Sequence, residues 1–231
     1  WELARLAVLG LMGVCGSQLL LVLSLEYLQP ATVTLFQLLQ PVLTPMVAAA
    51  FGLERLCEGS WERVALRFGG LVTCVLGAFV DVMLKDRVGG QLLGFGLLSL
   101  QVLTGSCYQV LTKQALLLGW QPTPLVAWSY SLGAVPMALT LRFARAGAWS
   151  LSAGTIAVLV YTVLLSSVFN YIAMAMANKR LGPTAVVAFF PLQPVLTGLC
   201  QPFLGMGPPQ LVDIGAAVVV VLGLGIFLLG E

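Results

Sequence analysis

An all-α integral membrane protein with eight transmembrane helices is what three observations on this sequence predict. First, 59% of the 231 residues are hydrophobic and 9% are charged, against about 25% charged in soluble domains, which leaves too few polar side chains to cover a water-facing surface. Second, the apolar residues fall into eight runs, at about 4–25, 31–52, 65–84, 91–112, 124–143, 153–176, 183–205 and 210–229, each close to the roughly 20 residues a spanning helix needs. Third, a segment of the second run recurs in the seventh.

Composition also excludes. The 11 Lys+Arg residues are scattered and form no stripe, so no nucleic-acid partner is expected. The hydrophobicity rules out disorder. Histidine is absent, which removes Ser-His-Asp and Cys-His catalysis and most zinc sites. Cys15, Cys57, Cys74, Cys107 and Cys200 form no Cys-x-x-Cys pair and read as small packing residues. No catalytic residue, metal or cofactor is expected, and the chain is not expected to be an enzyme.

Each run must be helical, because hydrocarbon offers backbone N–H groups no partner outside the segment. The cationic residues set the orientation. With the N-terminus in the cytoplasm, the inner side receives Arg5, Arg55, Arg63, Arg67, Lys113, Lys179 and Arg180, and the outer side Lys85, Arg87, Arg142 and Arg145. Eight crossings then return the C-terminus to the cytoplasm. The longest connection, 53–64, carries Glu54, Glu58, Glu62 and Arg63 and reads as a short amphipathic turn at the inner interface. Trp61, Trp120 and Trp149 sit near span ends, where amphipathic rings prefer to lie.

The repeat joins Leu28–Thr44 (LQPATVTLFQLLQPVLT) to Leu181–Thr197 (LGPTAVVAFFPLQPVLT) at an offset of 153, with ten of 17 positions identical. The two copies are five crossings apart, so they run in opposite directions. Inverted repeats of this kind build secondary transporters whose substrate site lies between the halves. Within the copies, Gln40-Pro41 and Gln193-Pro194 fall near the span centres. Proline has no N–H to give, so the Gln37 and Phe190 carbonyls are expected to lose their helical donors. Pro45, Pro191 and Pro202 add further breaks. A solvated or solute-filled cavity is one way to satisfy such carbonyls.

Helical spacing sets Gln37, Gln40 and Thr44 on one face, and Phe190, Gln193 and Thr197 on the matching face. Amides, hydroxyls and a ring suit a small polar or zwitterionic organic solute held without a fixed charge. Gln101, Tyr108, Gln109 and Thr112 on the fourth span, and Thr162, Ser166 and Asn170 on the sixth, are candidate further walls. Gln18 and Tyr171 are equivalent at the same offset of 153. Gly10, Gly13, Gly16, Gly223 and Gly225 read as close-packing positions. No acid sits at a span centre, Asp81 and Asp213 lying near span ends. The expected site therefore comprises Gln40, Gln193, Gln37, Thr44, Thr197, Phe190, Asn170, Tyr108 and Gln101, with Pro41, Pro45, Pro191 and Pro194 as kinks. The expected partners are a small organic solute and the lipid bilayer.

Gly182-Pro183, Phe189-Phe190-Pro191-Leu192-Gln193-Pro194-Val195 and the closing Gly223-Leu224-Gly225-Ile226-Phe227-Leu228-Leu229-Gly230 resemble the second EamA domain of the drug/metabolite transporter superfamily. The nearest resemblance is to the plant nodulin-21-like, "walls are thin"-related exporters. Gly52-Leu53-Glu54-Arg55-Leu56 is similar to the end of the fourth family helix, and Ser106-Cys107-Tyr108-Gln109 with Lys113 to the sixth. The resemblance implies a ten-helix bundle of two inverted five-helix repeats that exports small organic metabolites. On that frame 1–90 would be the last three helices of the first repeat and 91–231 the complete second. The plasma membrane, the vacuole and the plastid envelope all remain open as its location, as does the oligomeric state. The alternative is a truncated, non-transporting paralogue that binds or regulates a full-length carrier.

Overall fold

The computed structural model describes residues 2–28, 33, 37, 39–53, 61–85, 92–140, 152–192, 196 and 211–230, and among these every regular element is helical. The first run is not a plain α-helix. Helix α1 (Glu2–Leu9) passes into a π-helical segment, Gly10–Gly16, and then into α2 (Ser17–Ser24). The junction residues Leu9 (φ −58°, ψ −45°) and Ser17 (φ −61°, ψ −44°) are helical, so the three form one rod. There follow α3 (Gln40–Ala50), α4 (Trp61–Lys85), α5 (Leu92–Leu117) and α6 (Pro122–Leu139). The sixth run repeats the pattern of the first: α7 (Ala153–Tyr161), a second π-helical segment at Thr162–Phe169, and α8 (Asn170–Leu181). Helix α9 (Pro183–Ala188) is short, and α10 (Leu211–Gly230) closes the chain.

Local chemistry accounts for the ends. Gln121 is extended (φ −81°, ψ 145°) and Pro122 begins α6, a position where its missing N–H is no loss. Ser152 caps α7, its Oγ accepting from the Thr155 N–H at 3.2 Å. After α5 the chain turns at Gly119 (φ +100°), and α8 stops at Gly182 (φ +94°) ahead of Pro183, the usual glycine stop followed by a proline start.

The second run departs from the expected kinked span. Leu39 sits in a turn and α3 starts at Gln40, which puts Pro41 in its first turn, among N–H groups that lack helical acceptors in any helix. The Val42 and Leu43 N–H groups both donate to the Leu39 carbonyl at 3.0 Å. Pro41 is thus a helix start, and Pro45 is the proline inside α3. In the seventh run Pro191 lies in a turn after α9, where Phe190 N–H donates to Val187 O and Leu192 N–H to Phe189 O, each at 3.0 Å. Gln193, Pro194 and Thr197 lie outside the described residues, as do 54–60 of the expected amphipathic turn, Trp149 and the boundary at 90–91.

Helix α5 is the hub of the packing. It meets α2, α3, α8 and the first π segment and buries polar Gln101, Ser106, Gln109 and Thr112 beside apolar Leu98, Val102 and Val110. Helix α6 lies against the first π segment at glycine contacts. A methyl on Gly10 would stand 2.5 Å from the Ser129 carbonyl oxygen, and one on Gly133 would stand 2.6 Å from that of Gly10. Helix α4 packs along α10, where a methyl on Gly70 would meet the Gly223 carbonyl oxygen at 2.6 Å. Of the glycines expected to pack closely, Gly10, Gly13 and Gly223 do so against other helices, whereas Gly225 faces open space.

Among the described residues two stretches, Leu3–Ser24 and Ala153–Leu181, are long and apolar enough to cross a membrane. In the second, no residue of α7 or of the π segment after it is buried. Leu159, Val160, Val163, Leu164, Leu165, Val168 and Phe169 are all exposed. A contiguous apolar face of that length is foreign to water-soluble monomers and suits lipid or another apolar partner.

Candidate functional site: a polar, uncharged cavity

A cavity of about 480 Å³ opens between α2, α3, α5, α8 and the turn after α9, within the size range of small-molecule sites. Six of the expected residues line it: Gln37, Gln40, Gln101, Tyr108, Asn170 and Phe190. Ser17, Gln18, Gln109, Tyr171 and Phe189 join them, and among the described residues none that lines the cavity is Asp, Glu, Lys or Arg. The described walls therefore combine dipolar and aromatic groups with the aliphatic side chains of Leu21, Met174, Val186, Leu192 and Leu196.

Hydrogen bonds fix part of this lining. Gln18 Nε2 donates to the Tyr171 hydroxyl at 3.0 Å, tying α2 to α8. Gln101 Nε2 donates to Ser17 Oγ at 3.2 Å, while Gln101 Oε1 is buried with no partner. Tyr171 stands edge-on to Tyr108 (ring centroids 6.3 Å apart, 74° between planes) and to Tyr130 (4.9 Å, 64°), the arrangement ring quadrupoles favour. Gly105 makes room for Gln40: a methyl there would lie 3.1 Å from Gln40 Nε2.

Below the cavity α5 and α8 are cross-linked. Asn178, fully buried, donates through Nδ2 to the Gln109 carbonyl at 2.8 Å. Lys113 Nζ donates to the Asn178 and Lys179 carbonyls, both at 3.0 Å, so a cation closes the carbonyl end of α8. Other expected residues lie elsewhere. Thr44 is fully buried and donates to Ser106 Oγ at 3.1 Å between α3 and α5. Pro41, Pro45 and Pro191 are buried and do not line the cavity. Thr112 is buried behind it. Thr162 Oγ1 donates to its own helix, at the Val158 carbonyl, 2.8 Å away, and Ser166 is exposed.

The lining follows the sequence repeat. Shifted by 153, Ser17 becomes Asn170, Gln18 becomes Tyr171, Leu21 becomes Met174 and Gln37 becomes Phe190, and both members of all four pairs line the cavity. Gln18 and Tyr171 touch directly, as do the positions of Gly70 and Gly223, again 153 apart. The π segments obey the same shift, since Gly10–Gly16 becomes 163–169, within Thr162–Phe169. Ser17, Leu21 and Met174 were missed as lining residues by inspection of polar faces alone; the offset of 153 leads from Asn170 to Ser17, whereas apolar Leu21 and Met174 carry no such signal.

No protein-family model matches the chain. Over 98% of its length it is 24% identical to a WAT1-related protein of Arabidopsis thaliana, and over 94% it is 25% identical to the uncharacterized transporter YyaM of Bacillus subtilis (strain 168). The chain spans 66% of the length of the first relative and 70% of the second. A protein of known crystal structure shares the fold with a TM-score of 0.75, at 20% identity, over 96% of this chain and 75% of that one. Along nearly all of its length, then, the chain is similar to proteins one of which is named a transporter, and its helical architecture is one already seen in a crystal.

Proposed function

We propose that this chain is a multi-pass membrane transporter of the drug/metabolite type, moving small organic solutes by alternating access between two inverted repeats. One observation carries the reading: the uncharged cavity is lined by four pairs of residues related by the repeat offset of 153. A cavity shared by two similar halves is where such transporters place their solute. The names of the two relatives fit the same class. The repeats would comprise 1–90 and 91–231, the former holding three spans of the first repeat and the latter five of the second.

In this reading Gln37, Gln40 and Gln101 bond the solute, and Tyr108, Phe190 and Asn170 enclose it. The paired π segments, which precede Ser17 and Asn170, are the elements that shift between inward- and outward-open forms. π segments are rare and recur at functional sites. Gln193 and Thr197 belong to the seventh-span face by the repeat, with Thr44 and Pro194 shaping the helices behind. The bilayer is the solvent, the C-terminus is cytoplasmic, and no cofactor takes part.

The test is efflux from proteoliposomes loaded with a mixed metabolite extract, read by mass spectrometry. The unaltered chain releases a defined subset of solutes. Gln40→Leu, with unchanged helicity, releases that subset at least about tenfold more slowly, as expected where a hydrogen bond to the passing solute is lost. Equal release by both chains sinks the role of Gln40, and release no faster than from empty liposomes sinks transport.

The bare sixth span favours a second reading, in which the chain assembles with a longer carrier. Gly13 and Ser17 are buried against Tyr108 and Gln101 of α5, yet their equivalents at the offset of 153, Ser166 and Asn170, are exposed. On this reading the isolated chain shows no flux and co-purifies stably with a full-length relative.

A further inference from the structure

The four repeat-related pairs around the cavity are not chemically alike. Ser17 and Asn170 are both polar, and Leu21 and Met174 are both apolar. At the other two pairs the halves diverge in the same sense. Gln18 and Gln37 on the first half stand against Tyr171 and Phe190 on the second. Gln40 and Gln101 add two further amides, and the Gln101 carbonyl oxygen is buried without a partner. The wall built by α2, the second run and α5 thus carries most of the amide donors and acceptors, Gln18, Gln37, Gln40, Gln101 and Gln109, and the wall built by α8 and the turn after α9 carries the rings of Tyr171, Phe189 and Phe190 with Asn170 as its amide.

Among the described residues, none that lines the cavity carries a charge. An ionised solute entering would surrender its hydration with no counter-charge to meet, which is the costliest kind of burial. A solute with only hydrogen-bonding groups would miss the rings, and one with only apolar surface would leave the amides unpaired. The shape that satisfies both sides is flat, with a ring at one end and a neutral N–H/C=O pair at the other.

We propose that the cavity takes an uncharged aromatic carboxamide or lactam, its ring against Phe190 and its amide edge against Gln37 and Gln101. The transporter reading supplies the purpose of the cavity, and this proposal names the class of solute and its orientation within it.

The experiment measures binding by the purified full chain in lipid nanodiscs, using four matched probes. Benzamide carries both features, benzoate replaces the amide by a charge, N,N-dimethylbenzamide has no N–H, and cyclohexanecarboxamide has no aromatic ring. Benzamide is expected to bind at least about tenfold more tightly than each of the other three, the loss of one buried hydrogen-bond partner being enough for that factor. Benzoate binding as tightly as benzamide overturns the proposal, as does indifference to the ring or to the N–H.

Orientation is tested by exchanging the repeat-related pair. Gln37→Phe and Phe190→Gln each weaken benzamide binding, and the double exchange recovers most of the loss because one amide and one ring again face each other. Losses that simply multiply overturn the orientation. The probe series on the unaltered chain needs no variant and stands if either substitution prevents folding. Selective benzamide binding with no flux of any solute overturns the transport reading and leaves this one intact. Flux of other solutes, with benzamide no better than benzoate, does the reverse.

Discussion

Gln18 and Tyr171, 153 residues apart in sequence, meet through a hydrogen bond of 3.0 Å at the edge of the cavity. They hold equivalent positions in the two copies of the repeat, and with the halves related as proposed such a contact forms only on the two-fold axis. The bond joins the α2 rod to α8. Tyr171→Phe and Gln18→Leu are each expected to lower stability by about 0.5–1.5 kcal/mol. The double substitution is expected to cost less than the sum, measured as a double-mutant cycle of reversible unfolding in mixed micelles. Strict additivity would show that the bond contributes nothing.

The glycines of the chain divide into two groups with opposite expectations. A methyl on Gly13 would collide with the Tyr108 ring, whereas nothing lies within 4 Å of one on Gly96. Gly13→Ala forces the Tyr108 ring aside and is expected to cost about 1–3 kcal/mol. Gly96→Ala, in the exposed interior of α5, is expected to gain about 0.5–1 kcal/mol from backbone entropy. Thermal unfolding of both variants in one detergent checks the pair, and the same sign for both would contradict the packing described.

Gly105 separates stability from binding. The three atoms nearest to a methyl there all belong to the far end of the Gln40 side chain, which must give by a few tenths of an ångström. Gly105→Ala is therefore expected to change stability by less than about 1 kcal/mol, helix propensity offsetting the displaced amide. Solute binding in the cavity is nonetheless expected to weaken severalfold. Unchanged binding with unchanged stability would show that the position of the Gln40 amide does not matter.

Lys113 bonds the last carbonyls of α8. Lys113→Met keeps the length and apolar stem of the side chain but removes the donor. It is expected to cost about 1–2 kcal/mol and to raise amide hydrogen exchange in the last turn of α8, with α5 unaffected. Exchange spread evenly over both helices would indicate general loosening and not the loss of a cap.

Periodicity and the repeat made much of this architecture legible. The polar face of α5 was visible as Gln101, Tyr108 and Gln109, and all three line the cavity. The offset of 153 pairs Gln18 with Tyr171 in the sequence, and the two side chains are in contact. What the residues do not encode locally was missed. Thr44 shares a helical face with Gln37 and Gln40, but Ser106 of α5 fills the space in front of it, and a neighbour across the bundle is invisible to helical spacing. Pro41 reads as a mid-span kink from its position in an apolar run, yet the turn at Leu39 makes it a helix start. The π segments left no trace in composition, because one extra residue in a turn changes no apolar period strongly enough to register over seven or eight residues.

The Gln18–Tyr171 contact also separates this chain from a homodimer. Two identical subunits about a two-fold axis must set every axial residue against its own copy, glutamine on glutamine or tyrosine on tyrosine. A single polypeptide carrying both halves is released from that rule. With the halves related as proposed, it can place an amide donor opposite a phenol acceptor, so a bound molecule would meet two unlike surfaces and have one preferred way round.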